Sequence, residues 1–132
     1  MKRSVAVVGP ASPEEAWERY AVITRWPEWA PPIRAVEATA PRLAVGVTGL
    51  VLGPGRMPIR FLVDRVDEDA RSWTWRVRSG PFRMTLTHDL ATTQSGTAAT
   101  LTVDAATPLA LLYPQLAKVA LRRLVRAETG RR

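Results

Sequence analysis

The run Ser72-Trp73-Thr74-Trp75-Arg76-Val77-Arg78-Ser79-Gly80-Pro81-Phe82-Arg83-Met84-Thr85-Leu86-Thr87-His88-Asp89-Leu90 decides the fold. Large apolar residues alternate with Thr, Arg and Asp at a period of two, which marks strands with one buried and one wet face. The alternation resumes after Gln94-Ser95-Gly96 as Ala99-Thr100-Leu101-Thr102-Val103-Asp104. The three segments read as an antiparallel meander. A two-residue turn at Ser79-Gly80 sets Trp75 opposite Met84 and Trp73 opposite Leu86. A turn at Gln94-Ser95 sets Leu86 opposite Val103, His88 opposite Leu101 and Leu90 opposite Ala99. Parity then collects Trp73, Trp75, Val77, Met84, Leu86, His88, Leu90, Ala99, Leu101 and Val103 on one face. Thr74, Arg76, Arg78, Arg83, Thr85, Thr87, Asp89, Thr100, Thr102 and Asp104 share the other, which faces solvent.

Working outward, Val5–Val8 reads as a short first strand. Ser12-Pro13-Glu14-Glu15 opens a helix: Ser12 can cap, Pro13 suits the first helical position and Glu15 completes a capping box. That helix carries Trp17 and stops near Thr24. A second short helix or turn follows at Trp26-Pro27-Glu28-Trp29, closed off by Pro31-Pro32. From Ile33 to Asp104 the turns at Pro41-Arg42, Gly53-Pro54-Gly55, Asp67-Glu68-Asp69, Ser79-Gly80-Pro81 and Gln94-Ser95-Gly96 mark about six strands. After Pro108 the chain turns helical to about Ala127, with Pro114 expected to kink or restart the helix. Gln115, Lys118, Arg122 and Arg126 form a polar stripe, with Arg123 at the edge of the apolar side. Leu109, Leu112, Tyr113, Leu116, Val119, Ala120 and Leu124 occupy that apolar side. The inner sheet face must be covered, and this helix is the long element available to cover it. The fold class is α+β: a curved antiparallel sheet of about seven strands around a long C-terminal helix, with two short helices after the first strand. The 132 residues suffice for one domain, 1–132, and are too few for two.

There is no cysteine and a single histidine, His88, which excludes thiolate nucleophiles, disulfides and multi-ligand Cys/His metal sites, so neither metal nor cofactor is expected. Nineteen Lys+Arg against twelve Asp+Glu give a net charge of +7, which by itself invites a nucleic-acid reading. Placement changes that. The stretch 118–132 holds six basic residues and one acid (+5), leaving +2 for the preceding 117 residues, with thirteen basic and eleven acidic. A nucleic-acid partner is therefore not expected. The basic end, with its tail 127–132, is where an acidic or otherwise anionic partner would bind. The Trp-Arg alternation of Trp73–Arg78 is no stacking platform, because rings and guanidinium groups point to opposite faces. The apolar run at Val5–Val8 ends too early for a signal peptide, and no window approaches a membrane span, so a cytoplasmic protein is expected. The sequence leaves the oligomeric state open.

The order strand, two short helices, six-strand meander and long helix resembles the helix-grip fold of START-like, birch-pollen-allergen-like proteins. Ala11-Ser12-Pro13-Glu14-Glu15-Ala16-Trp17 followed by Arg25-Trp26-Pro27-Glu28-Trp29 is similar to the opening of the polyketide cyclase/dehydrase branch of the SRPBCC superfamily. Val63-Asp64-Arg65-Val66-Asp67 leading to Ser72-Trp73-Thr74-Trp75-Arg76, and Thr87-His88-Asp89-Leu90 followed by Ser95-Gly96-Thr97, extend the likeness over residues 3–127. Such proteins cyclise or dehydrate polyketides, bind lipids, carry quinones or sense ligands. Their shared motifs place structural tryptophans and turns, not catalytic groups.

Two readings of the inner face follow. In one, the helix and the sheet enclose a cavity for a hydrophobic or aromatic small molecule, bordered by Trp26, Trp29, Trp73, Trp75, Met84, Leu86, Leu101, Leu109, Tyr113 and Leu116. His88, an imidazole among apolar walls, would then be the proton carrier of a cyclase- or dehydratase-like lyase or isomerase, and the cavity would supply proximity and orientation. The same cavity would serve a non-catalytic lipid or metabolite carrier or sensor. In the other reading these residues are ordinary core and His88 is a buried ring satisfied by a hydrogen bond. Asp64 and Asp104 fall outward by parity and, with Glu37, give little support to paired-carboxylate catalysis. Gly53-Pro54-Gly55 leads into a strand as Arg56-Met57-Pro58, so it is a hairpin turn and not a phosphate loop.

Overall fold

The computed structural model describes residues 1–127; of the basic tail 127–132, all but Ala127 lies outside them. The elements in chain order are β1 (Lys2–Gly9), α1 (Pro13–Ala21), a 3-10 turn at Ile23–Arg25, α2 (Trp26–Trp29), β2 (Ala35–Ala38), β3 (Thr48–Leu52), a 3-10 turn at Pro54–Arg56, β4 (Pro58–Asp67), β5 (Ser72–Ser79), β6 (Phe82–Thr93), β7 (Gly96–Ala105) and α3 (Thr107–Leu124). The strands form one seven-stranded sheet in the order β1-β7-β6-β5-β4-β3-β2, with antiparallel neighbours throughout. This is the expected α+β helix-grip arrangement. Ser12 caps α1 as its sequence predicts: its hydroxyl accepts from the Glu15 backbone N–H at 3.1 Å.

The β6–β7 register is the expected one, with Leu86 opposite Val103, His88 opposite Leu101 and Leu90 opposite Ala99. The β5–β6 register differs from expectation by two residues: Trp75 faces Leu86, Trp73 faces His88 and Ser79 faces Phe82. The turn is Gly80-Pro81, not Ser79-Gly80. In the shorter register Pro81 would occupy a ladder position that needs an N–H, which proline lacks. Gly80 instead takes the positive φ of +58° that the first turn position requires. A shift of two preserves parity, so every side chain keeps its predicted face.

Helix α3 departs from expectation in two ways. It runs unbroken through Pro114, which is buried within it. It is also turned about its axis. Ala110, Pro114, Leu121 and Leu124 are buried, whereas Leu112, Leu116 and Val119 are 57%, 61% and 48% exposed. At about 100° per residue, burial is centred about one residue's rotation away from the middle of the apolar stripe. The helix packs on β1 and β7, at one side of the sheet. There Gly9 lets the chains approach: a Cβ on it would run into the Val125 backbone.

The C-terminal end of α3 is anchored by α1. The buried Arg19 side chain donates through Nη1 to the carbonyl oxygens of Arg123, Leu124 and Arg126 at 3.2, 2.6 and 2.9 Å. A guanidinium at this end satisfies carbonyls that have no intrahelical partner and sits at the negative end of the helix dipole. The Ala11 N–H adds a bond to the Val125 carbonyl at 2.8 Å. Among the described residues, no helix is long and apolar enough to cross a membrane.

Candidate functional site

The inner face of β5–β7 meets α1 and α2 in an aromatic cluster. Trp26 and Trp73 stack with centroids 5.8 Å apart, and Trp73 lies over His88 at 4.7 Å and 15°. Phe61 meets Trp75 edge-on at 5.4 Å. Tyr20 meets Trp29 and Trp73 edge-on, each at 5.5 Å. These edge-to-face and offset arrangements are the favoured ones for aromatic quadrupoles. Trp26 and Trp29 are fixed further by bonds from their indole N–H groups to the Tyr20 and Arg19 carbonyls, each 2.9 Å.

His88 sits at the centre of this cluster, buried, with both ring nitrogens in use. Trp75 Nε1 lies 3.0 Å from His88 Nε2, and Tyr20 Oη lies 3.1 Å from Nδ1. An indole N–H can only donate, so Nε2 accepts. The neutral ring then carries its hydrogen on Nδ1 and donates to Tyr20; this tautomer is assigned from the partners. Burial holds the His88 pKa down at about 3. The ring is therefore neutral at physiological pH, and its one free lone pair is already engaged. Burial likewise pushes the Tyr20 and Tyr113 hydroxyls up. Tyr20 did not emerge from the sequence reasoning. Its signal was the Trp17/Tyr20 spacing of three, which puts both rings on one face of α1.

The structure brings Trp26, Trp29, Trp73, Trp75, Leu86, Leu101 and His88 together as buried neighbours in one core. Met84 and Tyr113 are half-buried against it, Leu109 is half-buried at the start of α3, and Leu116 stands exposed. One member of the cluster is incompletely satisfied: Trp73 Nε1 is buried with no hydrogen-bond acceptor among the described residues. A buried N–H of this kind costs about 1–3 kcal/mol.

A pocket of about 980 Å³ lies elsewhere, on the far side of the sheet. Contiguous triplets of neighbouring strands line it, 37–39, 48–50, 60–62, 76–78 and 83–85, together with Asp104; no residue of α1, α2 or α3 borders it. Two of the three residues in most triplets point outward, including Leu50, Arg60, Leu62, Arg76, Arg78 and Arg83. The outward carboxylates expected from parity are outward: Asp64 pairs with Arg76 at 3.2 Å, and Asp104 lies 3.8 Å from the N-terminal ammonium.

Together, the seven-stranded sheet, the paired short helices and the long C-terminal helix define a helix-grip protein. The chain belongs to the family described as polyketide cyclase/dehydrase and lipid transport, whose model matches residues 2–131. Among solved structures, it is similar to a protein from Nitrosospira multiformis at 17% identity and TM-score 0.80, with 100% of each chain covered. It is similar to ginseng major latex-like protein 151 from Panax ginseng at 15% identity and TM-score 0.76, with 94% of each chain covered. Ara h 8.0201 matches at 12% identity and TM-score 0.73, again over 94% of each chain. At these identities the likeness is one of fold. No curated protein matches the sequence.

Proposed function

We propose that this protein binds a hydrophobic or aromatic small molecule along the apolar flank of α3, as a carrier or sensor. The observation that carries this reading is the rotation of α3. Leu112, Leu116 and Val119 remain exposed on a helix whose apolar surface is wider than the strip that packs on β1 and β7. Leu109 and Tyr113 lie on one side of these residues along the helix, and Lys118 and Arg122 border them on the other. Apolar surface of this kind beside a half-buried rim is what a greasy ligand would cover. In this reading Met84, Leu109, Tyr113 and Leu116 touch the ligand. Trp26, Trp29, Trp73, Trp75, Leu86 and Leu101 form the packed core behind it. Membership of a family described by cyclase/dehydrase activity and lipid transport supports the ligand class.

The geometry around His88 favours binding over proton transfer. A base held near pKa 3 with both nitrogens occupied is a weak acceptor at neutral pH, so His88 orders Trp75 and Tyr20 in this proposal. The test uses the neutral fluorophore N-phenyl-1-naphthylamine. Its emission should rise on binding at micromolar concentration, and Leu116→Asp or Leu112→Asp should weaken binding at least tenfold. Val45→Asp, at an exposed site away from α3, should leave binding unchanged. Absence of enhancement, or equal binding by all three variants, would overturn the reading.

A further inference from the structure

The outer-face pocket carries a charge pattern that the fold does not need. Successive register pairs place Leu50 opposite Arg60, Arg60 opposite Arg78 and Arg78 opposite Arg83. Three arginines thus stand side by side at consecutive register positions of one cross-strand row, on β4, β5 and β6. Strands are spaced about 4.8 Å apart, so the row spans about 10 Å. Like charges directly opposite one another on a sheet are destabilising. None of the three takes part in an ion pair among the described residues. Arg76, two residues along β5 from Arg78, is the exception within the pocket, paired with Asp64 at 3.2 Å. The pocket's own acids lie at its margins. Glu37 is separated from Arg60 by Leu50, and Asp104 stands opposite Thr85 near the N-terminal ammonium.

We infer that this pocket is an anion site for a small molecule bearing two adjacent phosphate groups, held by Arg60, Arg78 and Arg83. Three features on the same face point to this occupant. A row of closely spaced guanidinium groups matches adjacent phosphates better than one isolated charge, and guanidinium is the side chain that binds phosphate oxygens bidentately. The pocket is of small-molecule size, about 980 Å³, and the arginines line it. Leu50 and Leu62 line it beside the arginines, giving an apolar body somewhere to rest. The site is on the opposite face from the flank of α3 and stands independently of the ligand proposed there.

The test titrates the full chain with inorganic pyrophosphate, orthophosphate and ADP, followed by calorimetry. Pyrophosphate should bind one per chain and at least tenfold tighter than orthophosphate, and ADP should bind as tightly as pyrophosphate or tighter. Arg78→Ala should weaken pyrophosphate at least tenfold, while Arg122→Ala on α3 should leave it unchanged. Arg78→Ala should also raise the melting temperature of the free protein, because it relieves the row, and abolish the rise that pyrophosphate produces. If Arg78→Ala misfolds by circular dichroism, Arg83→Gln carries the same expectations. Equal weakening by Arg78→Ala and Arg122→Ala would reduce the site to general charge and overturn the inference. So would equal affinity for orthophosphate, or displacement of pyrophosphate by hexaglutamate or phosphatidylserine vesicles at lower concentration than by ADP.

Discussion

Acidifying the protein from pH 7.5 to 4.5 should cost about 2.5 kcal/mol of stability through His88 alone. The sign follows from the direction of the shift. The folded ring has its pKa lowered to about 3 by burial, whereas the unfolded ring titrates at about 6.5. Between those values the unfolded chain binds a proton that the folded one does not, so stability falls as pH falls. The slope approaches about 1.4 kcal/mol per pH unit below pH 6. Above pH 7 the contribution is complete, and no further change comes from this group. The assay is urea unfolding at half-unit steps, comparing the wild type with His88→Gln. Glutamine keeps an acceptor for Trp75 and a donor for Tyr20 but does not titrate. Carboxylates such as Glu18, whose pKa is lowered chiefly by the hydrogen bond from Arg42, act in the same direction in both proteins and cancel. The difference curve should therefore fall by about 2.5 kcal/mol across this range. A flat difference curve, or a folded-state His88 proton resonance titrating near pH 6.5, would refute the reasoning.

Arg19→Met should destabilise the protein by about 2–4 kcal/mol, because three carbonyls at the end of α3 lose their donor. Amide exchange in that last turn should accelerate more than exchange in β6 and β7. Gly49→Ala should cost about 2 kcal/mol or more in chemical denaturation, since the added methyl meets the Glu37 carbonyl and the Phe61 ring. Thr97→Val should cost about 1–2 kcal/mol in the same assay. It removes the donor that the buried Thr97 hydroxyl supplies to the Ala11 carbonyl at 2.7 Å.

Much of the fold was legible because sheet periodicity is local. Trp73, Trp75, Leu86 and Leu101 lie on their predicted face even though the β5–β6 turn sits one residue further along, because a register shift of two leaves parity intact. The site was less legible. The tryptophans and His88 could be assigned to a common face, but their mutual contacts depend on how α1 and α2 enter the concave side. That depends on Tyr20, whose partner lies 68 residues away. The α3 wheel identified an apolar side but not the direction in which the helix would turn. Anchoring by Arg19 and Gly9 at one end, and docking on β1 and β7, decided that.

By itself, the sequence determined the α+β class, the strand and helix order, the face of each meander residue and the distribution of charge along the chain. Each of these follows from near-neighbour periodicity and capping chemistry. Only the tertiary structure decided that His88 is doubly hydrogen-bonded and hard to protonate. It also decided that α3 exposes Leu112, Leu116 and Val119, and that Arg60, Arg78 and Arg83 stand in one row. Those facts depend on contacts between residues distant in sequence, where register, helix rotation and burial are settled by packing the whole domain at once.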